Sequence, residues 1–424
     1  MILKYYFLHF LKALSTGTLI SVLIRDIQAV HRCIFRIERR CERALAERGC
    51  TMGRDTRRSM GRQEGYEREL RRRKILKQRK AKRRRRRILL FVVEAALLAV
   101  VLLGIYFVSA YEKLQKPEFT LKDVKKNDLD SEVEESMTGF TTYALFGVDA
   151  RDNATLDKGT HGDVVMVASV NNATGEVRLA SIYRDTYCQI NEEGEYGKLT
   201  GAYFQGGALN AINMLNKNFD LDISAYATFN WAAVAIVIND LGGVDVDVPE
   251  SMMVDQMLNG YTTLTAEATG INSRLTYEPG MQNLDGIQAV AYCRIRYISG
   301  DDFGRTGRQR EVVEKVLEKA KKADIGTLTK IVNDAFPNLA TNMELKDIVK
   351  LLPKVGSYYV GDQSGFPSEQ MRANATIDGG AMVVPVTLVE TAEELHRFLY
   401  GNETYVPSAT VQEISAVIRQ KSGT

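Results

Sequence analysis

Cysteine and histidine are scarce in this chain of 424 residues, which has five of the first and four of the second. Cys33, Cys41 and Cys50 precede the long apolar run at Ile88, only Cys188 and Cys293 follow it, and none stands at CxxC or zinc-finger spacing. A disulfide scaffold and a zinc module are therefore excluded. The two later cysteines either pair, if their Cα atoms come within about 7 Å, or serve as small buried hydrophobes. His161 and His396 are the only histidines beyond the apolar run, too few for a histidine-based triad or a zinc site. A GxxxxGK[ST] loop is missing, and Gly206-Gly207 lacks the rest of a dinucleotide fingerprint, so neither phosphate-cradling signature applies.

What the chain does have is one membrane-length segment. Ile88 to Val108 is a 21-residue run whose only charge is Glu94, close to what a helix needs to cross about 30 Å of hydrocarbon. Lys80, Lys82 and Arg83 to Arg87 abut it, and positive charge collects on the cytoplasmic side. This predicts a single pass through the cytoplasmic membrane, with the N-terminus inside and the C-terminal domain extracellular. The charge divides accordingly. Residues 1–87 hold 27 Lys and Arg against 8 Asp and Glu, and residues 88–424 hold 29 against 45. The basic block thus reads as a topology signal with lipid contact rather than a nucleic-acid site. Within 1–87, the apolar first 24 residues suit a signal-like or interfacial segment. Met52 and Met60 are alternative starts to a shorter basic, disordered tail.

Ser109 to Gly139, rich in Lys, Asp and Glu, reads as a juxtamembrane stalk. The folded domain is expected over 140–401 and a loose tail over 402–424. Strand signals lie at Thr142–Val148, Asp163–Val170 and Val177–Arg184, with Asn171 to Gly175 as the turn between the last two. Helical periodicity marks Gly207–Asn218, Trp231–Leu241, Leu284–Tyr292, Arg308–Lys322 and Thr391–Tyr400. Val244–Val248 alternates as a strand, and Asn259–Tyr277, heavy in Thr, Gly, Asn and Ser, reads as a loop. The alternation predicts an α/β fold, an α-β-α sandwich around a central mixed sheet, preceded by one transmembrane helix.

Arginines recur inside these structured segments. Arg184 ends a strand-like run. Arg294 and Arg296 alternate on what reads as an extended strand and so share a face. Arg305 and Arg308 share a face of the following helix. Five such arginines in an acidic domain point to a multiply charged anion, because the guanidinium fork matches phosphate oxygens. Asp149 and Asp163 sit at strand edges, where carboxylates beside a phosphate site can hold a divalent ion. The alternatives are surface ion pairs for the arginines and strand termination for the aspartates.

These motifs resemble the LytR-CpsA-Psr family of bacterial envelope enzymes. The resemblance runs from about Thr141 to Arg310. It rests on Gly147-Val148-Asp149-Ala150-Arg151, Gly162-Asp163-Val164-Val165-Met166, Ser181-Ile182-Tyr183-Arg184-Asp185-Thr186, and Lys198 with Ala202-Tyr203 and Gly206-Gly207. It continues through Asp240-Leu241-Gly242-Gly243-Val244, Leu284-Asp285-Gly286-Ile287-Gln288-Ala289 and Arg294-Ile295-Arg296, and ends in Asp302-Phe303-Gly304-Arg305-Thr306-Gly307-Arg308-Gln309. It implies a phosphotransferase that moves a glycopolymer, such as teichoic acid or capsule, from a polyprenyl-pyrophosphate carrier to a peptidoglycan hydroxyl through a phosphodiester. By position, Asp149 and Asp163 would hold magnesium, with manganese as the alternative ion. Arg184, Asp185, Arg294, Arg296 and Arg305 would be catalytic. Arg151, Arg184, Lys198, Arg294, Arg296, Arg305, Arg308 and Gln309 would bind pyrophosphate. Two departures stand out: His161-Gly162 where relatives often carry an arginine two residues before the second aspartate, and Tyr183 where proline is usual. One phosphate contact is therefore either missing or supplied by Arg151, and Asp185 or Asp152 would be the base. The helices at Asn210–Leu215 and Trp231–Leu241 offer apolar faces for a lipid groove, with ordinary core packing as the alternative for most of their residues. A non-catalytic polyprenyl-phosphate-binding scaffold and a membrane-bound transcriptional attenuator are the competing readings, and the predicted topology argues against the second.

Overall fold

The computed structural model describes residues 62–117, 119, 121–150, 156–276, 278–296 and 301–423. Helix α1 runs from Arg62 to Tyr111. Its stretch Glu69–Tyr111 is the one helix among the described residues long and apolar enough to cross a membrane, and Leu89, Phe91, Leu98 and Leu103 on it are exposed. The chain divides within this helix, and the residues from Ala96 onward form one folded unit.

After a short helix α2 (Ser131–Met137), that unit is built on strands β1 (Phe140–Val148), β2 (Gly162–Asn171), β3 (Glu176–Ile182), β4 (Tyr187–Gln189) and β5 (Tyr196–Lys198). Then follow α3 (Thr200–Phe219), β6 (Ile223–Asn230), α4 (Trp231–Asp240), β7 (Val244–Val248), α5 (Met257–Thr269), β8 (Gly280–Leu284), α6 (Gly286–Arg294) and α7 (Asp301–Lys322). The chain closes with α8 (Ile325–Ala335), β9 (Leu339–Thr341), α9 (Leu345–Leu351), β10 (Tyr359–Phe366), β11 (Arg372–Ile377), β12 (Gly380–Pro385), α10 (Leu388–Tyr400) and α11 (Ala409–Ser422).

The central sheet is mixed, in the order β10-β3-β2-β1-β6-β9. β1 pairs antiparallel with β2 and parallel with β6, and β10 runs parallel to β3. The period-2 pattern of β1 explains its two faces. Ala144, Phe146 and Val148 enter the main core with α3, α10 and α11, while Tyr143 and Leu145 face the opposite layer with Met166 and Val313. Helices thus cover both faces, an α-β-α sandwich as the strand and helix alternation predicts. Complete burial of Phe219 and Leu215 stabilises that core by roughly 2–3 kcal/mol each.

Three expectations are corrected. Asn259–Tyr277 is largely helix α5, because its threonines bond along the helix. The hydroxyls of Thr262, Thr263, Thr265 and Thr269 donate to the carbonyls four residues earlier, replacing solvent as their partner. Val244–Val248 is a strand, as its alternation predicts, and pairs antiparallel with β8 outside the central sheet. The segment after the span is no stalk. Val133 and Met137 belong to the main core, and Lys125 is held by Asn213 and Asn216. The last twenty residues are no loose tail, since Val411, Ile414 and Ile418 of α11 are buried in the same core. The fully buried Asp220 joins both ends, accepting hydrogen bonds from Asn127, Tyr405 and Ser408. The alternative starts at Met52 and Met60 lie outside the described residues.

Candidate functional site

The second face of the sheet floors a cavity of about 420 Å³, with Leu145, Gly147, Val164 and Met166 at its base. Gly147 is required there: a Cβ would meet the Val164 side chain at 2.8 Å. The walls come from α4 (Val234, Val237), α6 (Val290, Cys293) and α7 (Val312, Val313, Val316), with Leu339. Two walls are pressed together at Gly286, where a Cβ would stand 2.0 Å from the Ala235 carbonyl oxygen. Asp285 starts α6 with a capping box, its side chain accepting from the Gln288 amide while Gln288 accepts from its own, which fixes where the helix begins and so where Arg294 ends it.

Charge gathers at one part of this cavity. Asp149, Asp163, Arg294, Arg296, Arg305 and Gln309 all line it. Asp149 follows the last residue of β1 and Asp163 is the second of β2, and Val148 pairs with Gly162 across the bulge between them. That register brings both carboxylates to the same end of the sheet. The Arg184 guanidinium bonds Asp163 and lies 3.8 Å from Asp185, whose carboxylate also takes Lys198 at 3.0 Å. Arg184, Asp185 and Lys198 thus form an ion-pair chain behind Asp163, outside the lining.

Arg294 and Arg296 are not on a strand. Arg294 is the last residue of α6, and Ile295 turns the backbone to an extended conformation. Helical propensity through Ala289 to Cys293 carries the helix up to the first arginine. The Arg294 guanidinium lies 3.5 Å above the Trp231 ring and donates to Thr265 Oγ1 at 2.6 Å. The Thr265 hydroxyl gives its own proton to the Tyr261 carbonyl, leaving oxygen lone pairs for the arginine. Stacking and hydrogen bonding hold the fork in one plane.

Arg308 departs from its expected place. It is buried, donates from Nε to the Tyr292 carbonyl at 3.0 Å and from its other end to Ile295, and is absent from the lining. Burial depresses its pKa. Its geometry is that of a brace for the Arg294–Arg296 segment. Gln309 donates to the Cys293 carbonyl at 3.3 Å, and its Oε1 is buried with no hydrogen-bond partner among the described residues. Arg305 is 2% exposed. Arg151 and Asp152 lie outside the described residues.

Cys188 and Cys293 are free thiols. Cys188 is buried in the main core, and Cys293 sits in the cavity wall with burial pushing its pKa up to about 12. The expected groove is half present: α4 forms a wall, whereas Ile212 and Leu215 of α3 are buried in the core on the opposite face of the sheet. Trp231, Tyr261 and Thr265 were not among the expected site residues. One signal was available, since Trp231 is the chain's only tryptophan. The threonine hydroxyl, by contrast, depended on a helix read as a loop.

Two aspartates supply hard oxygen ligands, and among the described residues no group of three His, Cys, Asp or Glu stands as a metal site. Magnesium takes one or two carboxylates and completes its shell with water and phosphate oxygens, whereas zinc wants three or four protein ligands.

Comparison with known proteins follows the same geometry. The pattern of the LytR_cpsA_psr family matches residues 104–388. The polyisoprenyl-teichoic acid–peptidoglycan teichoic acid transferase TagU of Enterococcus faecalis is 29% identical over 209 residues, 49% of this chain; the chain spans 63% of that protein's length. Biofilm regulatory protein A of Streptococcus mutans is 28% identical over 297 residues, 67% of this chain and 69% of its own. The crystal structure of protein gbs0355 from Streptococcus agalactiae superposes with a TM-score of 0.52 at 25% identity, covering 67% of this chain and 95% of that one.

Proposed function

Since the chain belongs to the LytR-CpsA-Psr family, we propose that it is a magnesium-dependent phosphotransferase joining a polyprenyl-pyrophosphate-linked glycopolymer to a peptidoglycan hydroxyl. One observation carries this reading: a single cavity holds three arginines and two aspartates against a wall of valines, leucines and a phenylalanine. A charged head and an apolar tail on one ligand need that combination. Free phosphate would not need the apolar wall, and a plain lipid would not need the arginines. Relatives named as teichoic acid transferases support the substrate class.

In this mechanism the pyrophosphate lies between Arg294, Arg296 and Arg305, whose forks neutralise its oxygens. Asp149 and Asp163 would hold a magnesium ion, which would supply further charge neutralisation on the pyrophosphate. The acceptor hydroxyl oxygen attacks the phosphorus that carries the glycan. The bond from that phosphorus to the bridging oxygen breaks, polyprenyl monophosphate leaves, and the hydroxyl proton passes to a lining carboxylate. No redox change occurs. Positioning and charge neutralisation supply most of the rate in such transfers. Asp185, tied to Lys198 and Arg184, acts as a positioning residue that keeps Arg184 on Asp163. The folded unit works at the outer face of the cytoplasmic membrane, with the basic N-terminus inside, because lysine and arginine collect on the cytoplasmic side.

The test is transfer of a radiolabelled glycan from its polyprenyl-pyrophosphate carrier to peptidoglycan by the full chain in bilayers, with magnesium present. Arg294→Ala should lose on the order of a hundred-fold or more, and Arg294→Lys should recover only part, because an ammonium cannot bridge two oxygens in one plane. Unchanged transfer in Arg294→Ala would sink the site. Tight carrier binding with no turnover in the parent protein would favour the scaffold reading instead.

A further inference from the structure

Helix α8 carries a feature that the catalytic reading does not use. Ile325 at its start is 83% exposed, more than any other large hydrophobic side chain among the described residues, and Leu328 is also exposed. The same helix runs alongside the outer end of α1. Tyr106 donates to the Thr329 carbonyl at 3.3 Å and accepts from Asn333. Lys113 bonds Asn333 at 2.8 Å, and Gln115 bonds the Pro337 and Leu339 segment. Residue numbers rise together on both sides, so the two run in the same direction. Thr329 is level with Tyr106, and Ile325, one turn earlier, lies about 6 Å further toward Ala96 along the axis of α1. The apolar run extends through Val108.

We propose that the first turn of α8 is a membrane-docking element, with Ile325 and Leu328 inserted among the acyl chains beside α1. The occupant is the lipid bilayer that α1 crosses, and continuity with α1 is the reason to choose it over a protein partner. An exposed isoleucine and leucine at the depth of the span's outer turns find hydrocarbon there, where insertion of about 5–10 Å suits an interfacial helix. Asp324 is spent on capping the helix, accepting from the Thr327 amide at 2.9 Å. The consequence reaches the cavity: α8 is tied to α4 by the Lys330–Asp240 ion pair, and Val234 and Val237 of α4 line the apolar wall. Docking of α8 sets that wall beside the bilayer, so a lipid tail moves sideways from membrane to cavity.

This inference rests on α1 being a membrane span, and the experiment separates the two. The full chain, with Trp231→Phe to silence the native fluorophore, receives one reporter at a time: Phe91→Trp on the span, Ile325→Trp, or Glu413→Trp on the exposed face of α11. Each is reconstituted in nanodiscs with and without lipids brominated in the upper acyl chain. The docking element predicts a blue-shifted Ile325→Trp emission and at least a two-fold loss of intensity with brominated lipid, with no loss for Glu413→Trp. Quenching of Phe91→Trp without quenching of Ile325→Trp overturns the docking and leaves the span. Failure at Phe91 overturns both. A blue shift at Ile325 without bromine quenching means that protein, such as a second copy, covers the site, and also overturns the proposal. Ile325 makes little contact with the fold, and adding Ile325→Trp to the otherwise native chain gives the same reading by difference if Trp231→Phe perturbs it.

Discussion

His396, one of the two histidines beyond the span, has been taken out of acid–base chemistry by packing. It is fully buried, bonds the Phe219 carbonyl through Nε2 at 2.9 Å and stacks on Tyr405. Its Nδ1 has no partner among the described residues, so the ring is neutral with the proton on Nε2. Burial is the main cause that lowers its pKa from 6.5 to about 4. The unfolded chain therefore binds a proton here that the folded chain refuses between those values. Stability from this residue is present above pH 6.5 and is lost as pH falls toward 4, on the order of 3 kcal/mol in all. Urea titrations at pH 7 and pH 4.5 should show this drop, and His396→Gln, which keeps a donor for Phe219, should show a smaller one. At the same scale, the arginines divide by what each guanidinium meets. Arg294 stands on an aromatic face in the cavity, whereas Arg308 is consumed by two backbone carbonyls. Residue type alone could not separate them, since both follow from a motif of ordered arginines and differ only in which way the chain turns.

Elements were legible in the sequence where one period dominated. β1, β2 and β3 carry strand signals joined by turn residues and pair as neighbours, and α4 and α10 follow the helical period. The failures have two causes, side-chain bonds inside a helix and partners distant in sequence. Threonine reads as loop or strand until its hydroxyl bonds within the helix, and α11 reads as a tail until Val411, Ile414 and Ile418 find the main core. Arg294 and Arg296 were read as strand neighbours, yet both reach the cavity because α6 ends at Arg294. The spacing of α6 from α4 is what places them. Gly286→Ala puts a methyl within 2.0 Å of the Ala235 carbonyl oxygen, a backbone atom that cannot rotate away. The two helices must part, and the change should cost about 1–3 kcal/mol and lower carrier affinity together. Thermal unfolding and a carrier-binding titration check this; a loss of neither would mean that α6 is free to shift.

For the whole molecule, the proposed span, the proposed docking helix and the cavity would answer one physical problem, a substrate whose reacting group is charged while its tail belongs to hydrocarbon. The fold handles it by giving the two faces of one sheet different work. One face, under α3, α10 and α11, is closed core tied to both chain ends through Asp220. The other face is left as the cavity floor. This division was visible in outline from the alternation of β1 and β2, but not the choice of face, because both faces carry apolar side chains. The groove expected on α3 fell on the wrong side for that reason. The most direct measurement loads the full chain in nanodiscs with a polyprenyl pyrophosphate bearing a photoreactive isoprene unit, irradiates it and maps the adducts by mass spectrometry. Adducts on Val234, Val237, Val316 or Leu339, lost on competition with unlabelled carrier, are the predicted result. Adducts on Ile212 or Leu215 of α3, or scattered over the surface without competition, would contradict the assignment of the cavity.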